Sequence, residues 1–352
     1  MTEGGALSSF TLGLILLGAL VLAALAAYNT WTSRRNTPRR AQMAAAAGAP
    51  VAPRQEPTLE AERQDPVLDT APPLPVPEKK PGLDALIDVL AAIGLEGVVS
   101  GEAALAALPP TRRAGSKPFA IEGLNERSQQ WETPHPGQRY TAFQAGVQLA
   151  NRVGALNEIE YSEFVMKAQA FADAVNGTPD FPEMLDEVAR ARELDQFASG
   201  HDAQLSFTLR ARQAAWSPGY VQQHAARLGF VAGALPGRMV LPAATPGAPP
   251  LLGLAFDTQA AMADDPEQSA LRLVTLSLDV PQVDRREQPF LRMREAASAL
   301  ATAMDGVVTD DNGQPIQPQA LDVIGADLEQ LYDTLDSRDL AAGSPLARRL
   351  FS

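Results

Sequence analysis

The sequence predicts an α+β protein: an N-terminal transmembrane helix, a disordered Pro-rich linker, then two related modules, each an antiparallel sheet covered by helices on one face. Three observations predict it. An uncharged apolar run fills Phe10–Tyr28. Beyond a Pro-rich stretch, segments that alternate with period two interleave with segments of helical spacing, as α+β layers require. The same order of elements is then read twice along the chain.

The anchor comes first. A bilayer core about 30 Å thick needs roughly 20 apolar residues in a helix, and Phe10–Tyr28 meets that length. Tyr28 and Trp31 suit the headgroup zone at its end. Arg34, Arg35, Arg39 and Arg40 follow, whereas only Glu3 is charged before it. The positive-inside rule therefore places the N-terminus outside and the C-terminal domains in the cytoplasm, after a single pass. Ala24-Leu25-Ala26 offers a signal-peptide cleavage site, but a cleaved signal needs a positive n-region and a shorter apolar core. Residues 1–31 are read as the anchor, with the lipid bilayer as the partner of residues 10–28.

Composition narrows the rest. A chain of 352 residues has room for two domains beyond the anchor. A net charge of −13 argues against broad nucleic-acid binding, which needs cations to displace phosphate counterions. With no Cys, disulfides, thiolate zinc sites, iron–sulfur clusters and Cys nucleophiles are excluded.

Residues 32–82 form the linker. The stretch is rich in Ala, Pro, Glu and Gln and culminates in Pro72-Pro73-Leu74-Pro75-Val76-Pro77. Without aromatic residues it cannot bury enough surface to offset chain entropy. At about 3.1 Å per residue in polyproline II, some 45 residues reach roughly 100 Å when extended. The reading is a spacer.

Residues 83–200 make the first module. Leu86–Ile93 suits strand or helix by periodicity, and the internal repeat favours strand. Ser100 is an N-cap with Glu102 in the first turn, and Pro109-Pro110 stops that helix. Lys117–Glu122 reads as a strand. Tyr140–Leu149 alternates, with Thr141, Phe143, Ala145, Val147 and Leu149 on one face. Phe164, Ala168, Phe171 and Val175 mark a helix that Asn176-Gly177 ends, Gly suiting the left-handed cap. Met184, Leu185 and Val188 begin another, reaching about Phe197.

Residues 201–337 repeat the pattern. Leu205, Phe207 and Leu209 alternate as a strand, and Ser217-Pro218 opens a helix. Strands follow at Phe230–Ala234, Arg238–Leu241 and Leu251–Phe256, then at Leu271–Val280 with Val274, Leu276, Leu278 and Val280 together. The longest helix carries Phe290, Met293, Ala297, Leu300 and Met304 and ends at Asp305-Gly306. Asp311-Asn312-Gly313 suits a type I′ hairpin turn. A last helix from Gln317 presents Leu321, Ile324, Leu328, Leu331 and Leu335. The tail, 338–352, is expected to fray. One segment aligns between modules without a gap: Phe164, Ala168, Phe171, Val175, Asn176 and Gly177 against Met293, Ala297, Leu300, Met304, Asp305 and Gly306. This reads as duplication, the first module being the degenerate copy.

Chemistry is sparse. His135, His201 and His224 lack metal-ligand spacing, and no Gly-x-Ser-x-Gly elbow supports a Ser nucleophile. Gly115-Ser116-Lys117 matches only the end of a phosphate loop. Asp310–Gly313 lacks the spacing and closing Glu of a calcium loop. No catalytic residue, cofactor or metal is assigned, and a binding module is favoured over an enzyme. The sheet supplies a surface for it. With the apolar alternates under the helices, the open face carries Ser206, Thr208, Leu271, Leu273, Thr275 and Ser277, which suits a partner peptide.

These residues resemble a known family. The uncleaved anchor, the Pro-rich linker and the run from Ala203 to Leu335 are similar to the ZipA family of bacterial division proteins, which tether FtsZ to the inner membrane. Asp305-Gly306-Val307-Val308-Thr309-Asp310-Asp311, then Pro318 opening a helix, carries the resemblance most specifically, with Thr275–Pro281 in support. The resemblance implies an inner-membrane protein at the division site whose open sheet face takes the C-terminal peptide of FtsZ. By position it implies a groove of Ser206, Thr208, Met239, Leu241, Gly253, Ala255, Leu273, Thr275 and Ser277. The family has a large aromatic in the strand ending Val-Pro where this chain has Ser277, which implies a more open, less apolar groove. Residues 83–200 lie outside the family's better-known members. Self-association stays open, as do two other readings: a tethered enzyme with a site between the modules, and an exported interaction domain if the topology is inverted.

Overall fold

The computed structural model describes residues 38–41, 82–310 and 312–352. The expected anchor, nearly all of the linker and Asp311 of the expected hairpin turn lie outside the described residues. Among the described residues no helix is long and apolar enough to cross a membrane.

The first module runs β1 (Asp88–Ser100), α1 (Gly101–Ala107), β2 (Arg113–Ala114), β3 (Lys117–Asn125), β4 (Trp131–Glu132), β5 (Arg139–Gln148), a hairpin of β6 (Ala150–Asn151) and β7 (Gly154–Ala155), α2 (Glu158–Ala174), β8 (Gly177–Asp180) and α3 (Met184–His201). The sheet is antiparallel in the order β2-β3-β5-β1-β8, with β4 beside β3. Local chemistry sets the helix starts. The Ser100 hydroxyl accepts from the Ala103 amide. Asn157 and Glu160 form a reciprocal capping box at α2. Phe164 and Phe171 of α2 then meet Phe119 and Phe143 of the sheet edge-on, at 6.1 and 5.0 Å between ring centroids.

Two local expectations change here. Leu124 pairs with Ala142 but Asn125 pairs with Tyr140, so Thr141 is the extra residue of a bulge. The bulge turns Tyr140, rather than Thr141, fully into the core. At the end of α2, Asn176 takes the left-handed conformation (φ 52°) and not Gly177, which already belongs to β8. A Cβ at Gly177 would come within 2.7 Å of Ile93 Cγ2, so close strand packing explains that glycine. Helix α3 extends to His201 with Leu185 on its solvent side.

The second module runs β9 (Gln204–Ala211), α4 (Pro218–Ala226), β10 (Val231–Ala232), β11 (Arg238–Leu241), β12 (Leu252–Ala255), α5 (Thr258–Ala261), β13 (Leu273–Asp279), α6 (Pro289–Met304), β14 (Gly306–Thr309), α7 (Pro318–Asp336) and α8 (Pro345–Leu350). Its antiparallel sheet has the order β10-β11-β12-β13-β9-β14. Ser217 caps α4 by accepting from the Tyr220 amide, with Pro218 at the first helical position. Phe290, Met293, Ala297, Leu300 and Met304 of α6 are buried. Among the described residues the longest helix is α7, with 19 residues against 16 in α6. It buries Leu328, Tyr332 and Leu335, while Leu321, Ile324 and Leu331 are partly buried. The turn after β14 is not a two-residue type I′ hairpin. The Gly313 amide returns to the Asp310 carbonyl, the Asp310 amide donates to Gln314, and Gly313 has a positive φ of 76° while Asn312 does not. That pattern suits a longer loop with Gly in its last position.

The modules share a path. The strand order β3-β5-β1-β8 in one corresponds to β12-β13-β9-β14 in the other. Asn176 and Asp305, aligned in the sequence, both adopt φ near 55° and lead into the first residue of β8 and β14.

The tail does not fray. Leu340, Ala347, Leu350 and Phe351 are buried. Arg349 grips Asp88 of the first module with two hydrogen bonds (2.5 and 2.9 Å), and Gln148 donates to the Arg349 carbonyl at 2.8 Å. Gln282 of the second module donates to the Phe351 carbonyl at 2.7 Å. Ile87, Ala150 and Ala198 of the first module join the second module's core. The tail is thus the joint between the modules.

Candidate partner-binding face

Residues opposite each other in antiparallel strands share a face, so register shows what the second sheet presents away from its helices. Ser277 stands between Gly253 and Ser206, with Val240 beyond Gly253. In the next row Thr275 stands between Ala255 and Thr208, flanked by Arg238 and Thr309. Leu273, paired with Arg210 and then Val307, makes the third. Ser206, Ser277 and Leu273 are exposed; Thr208, Gly253, Ala255 and Thr275 are half-buried. Leu273 leaves 53% of its surface in solvent, a clear apolar foothold on an otherwise small and hydroxylated face.

The floor is tightly built. Ser277 Oγ donates to the Gly253 carbonyl at 3.4 Å, and a Cβ at Gly253 would lie 2.6 Å from Ser277 Oγ. Thr309 Oγ1 donates to the Thr208 carbonyl at 3.2 Å. At one end, Arg152 from the β6–β7 turn binds both Asp279 and Asp202, with contacts of 2.6–2.8 Å. Both carboxylates push the already basic guanidinium higher. At the other end stand Leu273 and Arg210.

Seven of the nine residues carried over by position share this open face. Met239 and Leu241 do not. Met239 pairs with Leu254 and Leu241 with Leu252, both core residues under the helices. The side chains of β11 on the open face are Arg238 and Val240. A shift of one residue exchanges the two faces of a strand. In Arg-Met-Val-Leu, three apolar residues in succession gave no alternation to fix the phase. Leu271 also leaves the open face: it precedes β13, forms a two-way bridge with Trp216 and is buried.

The other sequence candidates are engaged structurally. The Gly115 amide donates to Glu163, and the Ser116 amide and hydroxyl both donate to Glu160. Lys117 Nζ is buried against Asn151 Oδ1 and the Gly154 carbonyl, and burial pulls its ammonium below the usual range. That turn already holds carboxylates where a phosphate loop would hold phosphate. His201 Nδ1 lies 2.7 Å from the Phe197 carbonyl and its ring stacks on Phe197. His224 packs beside Tyr220, where burial lowers its pKa. Among the described residues no cluster of His, Asp or Glu could hold a metal ion.

Sequence reasoning missed Arg152 at the rim of the face and Arg39 beyond its other end, where the backbone of Arg39 pairs with Trp216. Arg152 sits in a short turn with no motif around it, and in the sequence Arg39 stands out only as one of four juxtamembrane charges.

The second module is thus an α+β unit, a sheet backed by helices with an open face of small and hydroxyl side chains. Residues 260–326 match the family model of the ZipA C-terminal FtsZ-binding domain. The stretch runs from α5 into α7 and includes β13 with Leu273, Thr275 and Ser277. The match bears out the resemblance over that stretch of the second module. Among curated proteins, none matches the chain.

Proposed function

We propose that the protein is a non-enzymatic membrane tether for the division ring, and that its second module takes the C-terminal peptide of FtsZ on the open sheet face. The observation that carries this is the match over residues 260–326, which contains β13, the central strand of that face. Ser206, Thr208, Gly253, Ala255, Leu273, Thr275 and Ser277 are the contact residues, joined by Val240 and Arg238. Small side chains let a peptide backbone approach closely, Leu273 gives an apolar foothold, and Arg210 and Arg238 favour an acidic partner. The span Phe10–Tyr28 anchors the chain in the inner membrane with both modules in the cytoplasm at the division site. The first module is a divergent copy, a reading supported by the shared strand order and the paired left-handed residues Asn176 and Asp305.

Retention of FtsZ, and of FtsZ without its tail, on the full chain tests the reading. Intact FtsZ is retained and the tail-less form is not. Replacing both Leu273 and Thr275 with Lys lowers affinity at least tenfold without changing the unfolding midpoint. Equal retention of the two FtsZ forms refutes tail binding. A reporter fused after Ser352 tests topology: activity confined to the periplasm refutes the cytoplasmic placement.

A further inference from the structure

The short segment Pro38–Ala41 is part of the folded second module. The Arg39 amide donates to the Ala215 carbonyl at 2.7 Å, and the Ser217 amide donates to the Arg39 carbonyl at 2.8 Å. Arg39 thereby pairs in parallel with Trp216, which pairs antiparallel with Leu271, two residues before β13. The side chain adds a second hold. Its guanidinium donates to the Met304 carbonyl at 3.3 Å and to Asp305 at 2.9 Å. The fully buried Trp216 donates its indole N–H to the same Met304 carbonyl at 2.8 Å. This is the C-terminus of α6, where the helix dipole favours a cation. Asp305, left-handed at the cap, adds a carboxylate.

Only six residues separate Trp31 from Pro38, a reach of at most about 25 Å. We propose that residues 38–41 are a latch, with the Arg39 guanidinium as its hold, that keeps the second module beside the membrane anchor. The open face then lies near the bilayer, with its Leu273 end next to the latch, instead of at the end of a long tether. The forty residues between Ala41 and Gly82 begin and end on the folded part, so their length does not set the distance of the second module from the membrane. The membrane consequence rests on the anchor reading; the docking of Arg39 does not.

The absence of native Cys makes site-directed labelling clean. Spin labels at Arg40→Cys and Gln213→Cys, both exposed positions, are placed on the full chain in phosphatidylcholine vesicles. Their backbones lie within about 15 Å when the latch is closed, three residues of chain beyond a paired strand. The expected result is one narrow distribution below about 30 Å, which Arg39→Glu turns into a broad one. A broad distribution beyond about 40 Å in the parent overturns the latch, and a narrow one that survives Arg39→Glu overturns the guanidinium as its hold. Flotation of the same labelled protein reads the anchor separately. A narrow distance without flotation overturns the membrane consequence and leaves the docking standing. Flotation with a broad distance overturns the latch and keeps the anchor.

Discussion

Single side chains decide how well the modules are joined, and Asp88 is the clearest. Its carboxylate is fully buried between Arg349 and the Asp84 amide. Burial raises its pKa above the usual 3.8, opposed by Arg349. A carboxyl with a raised folded pKa binds its proton more tightly in the native state. Its contribution to stability is therefore present below about pH 4 and lost as pH rises through the folded pKa. Arg349→Met removes the opposing cation and deepens that loss. Urea unfolding is expected to show a deficit of about 3–5 kcal/mol at neutral pH, the cost of stranding a buried charge, and a much smaller one near pH 4. Equal deficits at both pH values would rule out the charge account. Gly253 tests a different point. Its missing Cβ is what lets Ser277 reach the Gly253 carbonyl. Gly253→Val is expected to fill the open face and lower FtsZ affinity several-fold with little loss of fold, provided the far side of β12 stays packed through Leu252 and Leu254.

At the scale of elements, long periodic segments were legible and short ones were not. Val274, Leu276 and Leu278 alternate over enough residues to fix both strand and face, so Leu273, Thr275 and Ser277 emerge where expected. The four residues of β11 carry no alternation, so nothing in the sequence sets which face Met239 and Leu241 take, and the register turns both to the core. Tyr140 was misplaced because a bulge adds one residue, which a periodic reading has no means to count. The tail looked unstructured because Leu346, Leu350 and Phe351 are few and close to the end; what orders them is burial between two bodies distant in sequence. The joint between helix and following strand is better specified. Asn176 at φ 52° is a position where a branched side chain is strained, by about 1–2 kcal/mol per residue. Asn176→Val is expected to lower stability by that amount and Asn176→Gly to be neutral or mildly stabilising, read from denaturation midpoints. If both behave alike, the left-handed cap is not what sets the α2–β8 joint.

At the scale of the whole molecule, each module has its own sheet and its own core, but the second core reaches into the first module. Ile87, Ala150 and Ala198 of the first lie in the core of the second. Two polar ties reinforce this: Arg152 on Asp202 and Asp279, and α8 lodged against Asp88, Gln148 and Gln282. Arg152 is partly exposed, so its ion pairs alone contribute modestly. The tail contributes more, because Leu350 and Phe351 are buried and each fully buried large apolar side chain stabilises by about 1.5–3 kcal/mol. Cooperative unfolding requires that the coupling between modules exceed the difference in their own stabilities. The intact chain is therefore expected to unfold in one transition by calorimetry. Removing residues 345–352 strips out α8, takes Ala347, Leu350 and Phe351 from the second module's core and leaves Asp88 of the first module without its cation. That truncation cuts the ties between the modules and should split the transition in two. The tail's hydrogen bonds to Asp88, Gln148 and Gln282 lie off the open face made by β9, β11, β12 and β13, so FtsZ binding should persist below the transition of the second module. A truncated chain that still melts in a single transition would place the coupling in the shared core around Ile87 and Ala150 and not in the tail.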